Sequence, residues 1–346
     1  MPVEVALVAN SFSPREGGAE RQMRSLLSGL QTSGRSTVVV TQVLPDVKQR
    51  LATIDGVRVL RLGSRRLNRV APRAAQVIFV VTAAVVVIAH RPRVVISLQM
   101  GTASAAAAMA ARVLGIQHIL RLTGGGTSRH ASEPLARADS TLGRAWARFF
   151  NRPRTTIVAP AQHLLRDFEL SFPSFQCRST QITNGVIRPD KEVPKTQAVI
   201  WYSRAGAERS ADALESVAAS LPDVHFSVLG RGTVPAGVNI DPLGWQASPE
   251  SVIGRHRVLL NTSPSEGMPN TVLQALAWGT RVVGYDNAGM REVRDLYPNG
   301  VQLVTPGDFA AAARAVEEQL KAGALPPQAV PSLDEVGTQW ATLLNL

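Results

Sequence analysis

Apolar residues recur along this chain in two alternating rhythms. Val3–Asn10 is an almost continuous apolar, β-branched run, the pattern of a strand covered on both faces. Arg21–Gln31 follows with Met23, Leu26, Leu27 and Leu30 at helical spacing and stops before Gly34. Val38–Thr41, Val57–Leu62 and Arg93–Leu98 read as further strands, with small-residue helices around the last. The rhythm restarts after Asn184-Gly185, with strands expected at Ala198–Tyr202, His225–Leu229, Val258–Asn261, Arg281–Tyr285 and Val301–Val304. Strands that alternate with helices predict parallel sheets, hence two doubly wound α/β units in tandem. Pro189, Pro194 and polar residues interrupt the pattern between them. The expected domains are therefore 1–185 and 186–330, with a final helical segment in 331–346.

Ala74–Ala89 is the one long apolar run, broken only by Gln76 and Thr82, and it falls short of the roughly 20 residues that span a bilayer. Arg65, Arg66, Arg69 and Arg73 precede it, and Arg91 and Arg93 follow. Such flanks suit a helix lying at a membrane interface. A helix buried against the first sheet is the other reading.

Composition sharpens this picture in three places. With 346 residues, 45% hydrophobic and 18% charged, each half is long enough to bury a core. The single cysteine, Cys177, excludes an internal disulfide and a four-cysteine zinc site, and the start lacks a basic leader, so a cytoplasmic setting is expected. Charge is uneven: residues 1–185 carry 24 Lys and Arg against 9 Asp and Glu, the remainder 13 against 17. An anionic partner is thus expected for the first half alone, unless base composition accounts for the arginines. Nucleic acid fits poorly, since no continuous basic tract or recognition motif occurs and aromatics are only 5%. An anionic membrane surface or a phosphate-bearing acceptor fits better.

The most informative chemistry lies in Ser263-Pro264-Ser265-Glu266-Gly267-Met268-Pro269-Asn270-Thr271-Val272-Leu273-Gln274-Ala275-Leu276-Ala277-Trp278-Gly279. Pro269 suits the first turn of a helix that follows a strand end. The amides of Asn270, Thr271 and Val272 would then sit at the helix's positive end, a seat for a diphosphate. Gly267 permits close backbone approach, while Glu266 and Gln274 would bracket a nucleotide-sugar.

This stretch resembles the signature of family 4 retaining glycosyltransferases, Ser-x-x-Glu-Gly-x-Pro followed by Glu-Ala-x-Ala-x-Gly. The resemblance implies the GT-B fold, two Rossmann-like domains facing a central cleft, with the C-terminal helix returning to the first domain. It implies that Glu266 holds donor-sugar hydroxyls and that position 274 holds the ribose. There the family's glutamate is replaced by glutamine, which exchanges a charge-assisted bond for a neutral one. Gly17-Gly18-Ala19-Glu20 is similar to the family's Gly-Gly-x-Glu loop, and Ile182–Val186 to its step into the second domain. Arg204 and Arg209 resemble the two cations that clamp the donor diphosphate, with arginine in place of the usual lysine at 209. Gly230 matches the turn near the base, Gly244-Trp245 the segment reading it, and Gly289 a loop whose amides touch phosphate or sugar.

The family's histidine after the fifth strand is missing, and His118 stands at the wrong end of that strand. Thr123-Gly124-Gly125 remains suited to the acceptor side, with His130 the nearest alternative histidine. No Asp-x-Asp and no His/Cys cluster occur, so no metal is expected. The resemblance implies front-face transfer from a UDP- or GDP-sugar to a lipid-linked or oligosaccharide acceptor, with no further cofactor. A catalytically inactive homologue serving as a binding subunit is the alternative. Sugar-nucleotide epimerases share the architecture.

Overall fold

A computed structural model describes residues 3–14, 18–44, 47–123, 141, 143–145, 151, 154–173, 175–191, 193–203, 211–230, 237–246 and 248–344. The chain divides into two compact units, Met1–Thr183 with Leu333–Leu346, and Asn184–Ser332. The division falls just before Asn184 because that side chain donates to the Met268 carbonyl at 3.0 Å, and Val186 N–H to Pro331 O at 3.0 Å.

In the first unit, β1 (Val5–Ala9), α1 (Gly18–Thr32), β2 (Thr37–Gln42), β3 (Leu51–Ile54) and β4 (Val57–Leu62) come first. They are followed by α2 (Arg65–Val70), α3 (Pro72–His90), β5 (Val94–Leu98), α4 (Thr102–Leu114), β6 (Gln117–Arg121), β7 (Thr155–Ala159), α5 (Gln162–Ser171) and β8 (Arg178–Gln181). The sheet order is β3-β4-β2-β1-β5-β6-β7-β8, parallel except for β3 against β4. Alternate residues of β1 serve opposite faces. Val5, Leu7 and Ala9 share a cluster with Met23, Leu26 and Leu30 of α1, while Ala6 and Val8 pack with Phe79, Ala83 and Val87 of α3 and Ala103, Ala106 and Ala110 of α4.

The second unit holds β9 (Thr196–Ser203), α6 (Ala211–Ser220), β10 (His225–Gly230), β11 (Ile240–Gly244), α7 (Pro249–Gly254) and β12 (His256–Asn261). Then come α8 (Asn270–Ala277), β13 (Arg281–Tyr285), α9 (Ala288–Leu296), β14 (Val301–Val304) and α10 (Phe309–Lys321). Its sheet, β11-β10-β9-β12-β13-β14, is parallel throughout, and the order reverses between β9 and β12. Strands β3, β7, β8 and β11 add to those expected from the apolar runs. β8 reads Arg-Ser-Thr-Gln, and β11 carries Pro242, which an edge strand tolerates.

The last helix, α11 (Leu333–Leu344), belongs to the first unit. Its Val336, Trp340 and Leu344 join the α1 side of that core. Close docking rests on two glycines: a Cβ on Gly29 would collide with the Gly337 backbone, and the reverse holds as well. Trp340 also lies 5.2 Å from the buried Arg121 guanidinium, which donates to Ile182 O at 3.2 Å. Burial lowers the Arg121 pKa to about 10, so it stays cationic at neutral pH and gains from the aromatic face. Replacing Gly337 with alanine forces α1 and α11 apart. We expect a loss of about 1–3 kcal/mol, seen as earlier melting of the first unit, with the second unit's melting unchanged.

Two histidines are buried as neutral rings. His118 in β6 meets Ser97 Oγ at 2.8 Å, and burial pushes its pKa down to about 3. His256 in β12, also lowered mainly by burial, lies 2.9 Å from Ser227 Oγ. The unfolded chain takes up these protons near the ordinary value of about 6.5, whereas the folded chain refuses them to lower pH. Stability is therefore full above that value and declines as pH falls from about 6.5 toward 3, by up to about 1.4 kcal/mol per pH unit from His118. Denaturant melts between pH 7.5 and 5 should show this slope, and His118→Asn should make it shallower by that amount.

Candidate functional site

The polar segment after β12 is built on the central strands of the second sheet. Thr262 and Ser263 are buried, and Trp201 of β9 donates its indole N–H to Thr262 Oγ1 at 2.9 Å. Asn261 Oδ1 accepts from Ser263 N–H at 2.9 Å, and Ser263 Oγ donates to Ser265 O at 3.1 Å. Asn287, which caps α9 by accepting from Met290 N–H at 3.0 Å, also donates to Ser263 O at 3.0 Å. These bonds hold the backbone leading to Glu266, which is partly exposed, and to Gly267, which is buried.

Helix α8 begins one residue later than expected. Pro269 is the residue before it, with extended backbone, and its carbonyl accepts from Val272 and Leu273 N–H at 3.1 Å each. The expectation that Val272 offers its amide to a ligand is therefore corrected: that amide is spent on Pro269, and the side chain is fully buried. Asn270 and Thr271 occupy the first turn, partly exposed, at the helix's positive end.

Gln274 meets a partner that the resemblance did not imply. It is buried, its Oε1 accepts from Ile187 N–H at 3.3 Å, and its Nε2 donates to Ile187 O at 2.5 Å. The indole of Trp278 donates to the same carbonyl at 2.7 Å. At the other end of α8, Lys195 Nζ donates to Gly254 O, Trp278 O and Thr280 Oγ1 at 2.7, 2.6 and 2.9 Å. A cation there complements the carbonyl ends of α7 and α8.

Gly289 in the first turn of α9 is buried against the Glu266 loop: a Cβ there would collide with the carbonyl oxygens of Glu266 and Gly267. Its glycine is thus required by backbone approach within the unit. Glu266, Gly267, Asn270, Thr271 and Gly289 come together at the carboxyl ends of β12 and β13, beside the reversal of strand order, where ligands of such sheets bind. Gly230 ends β10 with φ of 121°, and Trp245 follows β11, 43% exposed. In the first unit, Gly18 opens α1 and Thr123 lies just beyond β6. Gly17, Gly124, Gly125, His130, Arg204 and Arg209 lie outside the described residues.

Residues 198–322 match the family model Glycosyl transferases group 1, and residues 17–177 match the Glycosyl transferase 4-like domain. The two matches fall in the second and first units in turn. By the two matches together, the chain is a glycosyltransferase of the family 4 type. The lipopolysaccharide 1,6-galactosyltransferase of Escherichia coli K12 is 30% identical over 147 residues, which is 37% of this chain and 41% of that protein's length. Two solved glycosyltransferase-fold structures cover nearly the whole chain. HepE of Anabaena, in complex with UDP and glucose, has a TM-score of 0.68 at 16% identity, covering 99% of both chains. WaaG, a glycosyltransferase involved in lipopolysaccharide biosynthesis, has a TM-score of 0.66 at 13% identity, covering 97% of this chain and 94% of that one. The GT-B architecture is thereby shown.

For this family 4-type glycosyltransferase, sequence reasoning overlooked Asn184, Ile187 and Lys195. Asn184 read only as part of the step into the second domain, and a backbone pair such as that of Ile187 leaves no mark in residue type. The glutamine at 274 was the available signal: an amide both donates and accepts, as one residue's backbone requires. A glutamate would keep the Ile187 N–H but face the Ile187 carbonyl with a second acceptor. Gln274→Glu should therefore cost about 1–3 kcal/mol, measured as earlier melting of the second unit at pH 7.5. Unchanged melting would show that Gln274 does not need its donor.

Proposed function

We propose that this chain transfers a hexosyl or related sugar from a nucleotide-sugar to a lipid-linked or polysaccharide precursor, with retention of anomeric configuration and without a metal ion. The observation that carries this reading is the convergence of the Glu266–Gly267 loop with the N-terminal turns of α8 and α9 at the strand ends. Two helix N-termini favour a diphosphate, and a partly exposed carboxylate beside them can take hydroxyl hydrogens of the attached sugar. A uridine diphosphate donor is favoured because the HepE structures hold UDP or UDP-glucose. The galactosyltransferase name of the Escherichia coli relative favours an oligosaccharide of the lipopolysaccharide kind as acceptor, and the cytoplasmic face of a membrane is proposed as the place of transfer.

In the proposed reaction the anomeric carbon–oxygen bond to the diphosphate breaks as the acceptor hydroxyl bonds to the same face of that carbon. The hydroxyl proton passes to the departing phosphate oxygen, so no protein base is needed. Charge developing on the diphosphate falls to Arg204, Arg209 and the amides of Asn270 and Thr271, an electrostatic role that does not call for a metal. Thr123, Gly124, Gly125 and His130 are proposed for the acceptor side, and Gly17, Gly18, Gly230 and Trp245 for the donor. A second reading, a binding subunit that does not turn over, is favoured by the engagement of Gln274 with Ile187.

Incubation with UDP- and GDP-sugars plus membrane extract should release free nucleoside diphosphate, undiminished by EDTA. Glu266→Ala should lower kcat/KM about ten- to a hundredfold through loss of a charged hydrogen-bond acceptor, on the order of 1.5–3 kcal/mol. Donor binding without release by the parent protein would instead establish the binding subunit.

A further inference from the structure

Helix α3 buries one side and exposes the other. Ala75, Phe79, Ala83, Ala84 and Val87 are buried in the first unit, whereas Val77, Ile78, Val81 and Val85 are between 43% and 64% exposed. At about 100° per residue these four fall in one sector about 100° wide. Val70 at the end of α2 and Val113 in the last turn of α4, which packs on α3, are exposed as well. Single exposed valines are ordinary, but a contiguous row marks a contact surface.

Along the sequence the charge flanking this row has one sign, and Glu4 is a carboxylate from outside it that acts on Arg93. No Asp or Glu occurs between Asp55 and Glu133. Arg66, Arg69 and Arg73 are exposed at one end of the row, with Arg65 partly so, and Arg91 and Arg93 are exposed at the other. The helix is 19 residues long with mean hydropathy 2.0, enough by length and composition to cross a membrane. Its inner side, however, is part of the first unit's core, so it can lie on a bilayer but not pass through one. The row is aliphatic throughout and lacks the aromatic anchors that hold protein partners. A flat apolar strip between cationic ends is what an anionic lipid interface accommodates.

We propose that the outer face of α2 and α3 is a membrane-docking surface for anionic lipids, with Val77, Val81 and Val85 at the acyl boundary and the flanking arginines among the headgroup phosphates. This surface is independent of the transfer chemistry. The full chain should co-sediment with vesicles of phosphatidylcholine containing one third phosphatidylglycerol, at low salt. Recovery should fall with phosphatidylcholine alone and in 0.5 M salt. The variant R65Q/R66Q/R69Q/R73Q should bind those vesicles at least about tenfold more weakly. The variant V77N/V81N/V85N should lose binding while keeping the parent's melting profile, oligomeric state and UDP affinity, because its substitutions are all exposed. Equal recovery with neutral and anionic vesicles would overturn the proposal, and so would parent-like binding by either variant. A dimer that the asparagine variant dissociates would overturn it too, by assigning the row to a second copy of the chain. Failure of nucleotide release in the absence of lipid bears only on the transferase reading.

Discussion

Both units depend on one constraint: a parallel sheet covered on two faces can expose polar backbone only at its ends. In β9, Val199, Ile200 and Trp201 are almost wholly buried, as are Leu7 and Val8 in β1. Parallel pairing requires every connection to cross back over a face, so the helices that cover the sheet follow from the strand direction itself. The loops at the carboxyl ends are then where polar residues gather. In the second unit, reversal of strand order between β9 and β12 places the Ser263–Pro269 segment beside the end of β9.

Tight cover of this kind leaves polar groups inside that need local answers. Arg121 is met by a carbonyl and by the Trp340 ring, and Lys195 by three oxygens at the helix ends. Two histidines stay neutral against serine hydroxyls. Glycine supplies the remaining freedom where backbones touch, at Gly29 with Gly337 and at Gly289 with the Glu266 loop. The second of these contacts fixes the backbone of the Glu266 loop, since its approach to α9 depends on an absent methyl group.

Helix α8 is anchored at both ends by residues distant in sequence. Lys195 holds its carbonyl end, while Gln274 and Trp278 grip Ile187 and Asn184 grips Met268. The segment entering the second unit is therefore bound along the helix whose first turn faces the proposed diphosphate. A glutamine at 274 gives up the charge that a ribose contact would use and in return pairs with both polar atoms of one backbone residue. The same residue thus ties α8 to the segment that enters the unit.

The alternating apolar runs determined the fold class, since strand and helix periods and the Asn184-Gly185 interruption are local patterns. The spacing of Glu266, Gly267 and Pro269 likewise identified the family, because a ligand loop at a strand end is written in consecutive residues. Short polar strands such as β8 and the antiparallel β3 escaped, as their pairing is supplied by neighbours and not by their own hydrophobicity. The outward valines of α3 were indistinguishable from its core residues by composition, and only packing showed which side met the sheet. Val272 and Gln274 were placed in the right helix, but their pairing with Pro269 and Ile187 was not foreseen. Those partners are backbone N–H and C=O groups, which nearly every residue carries, so only the tertiary structure could decide which ones stand within reach.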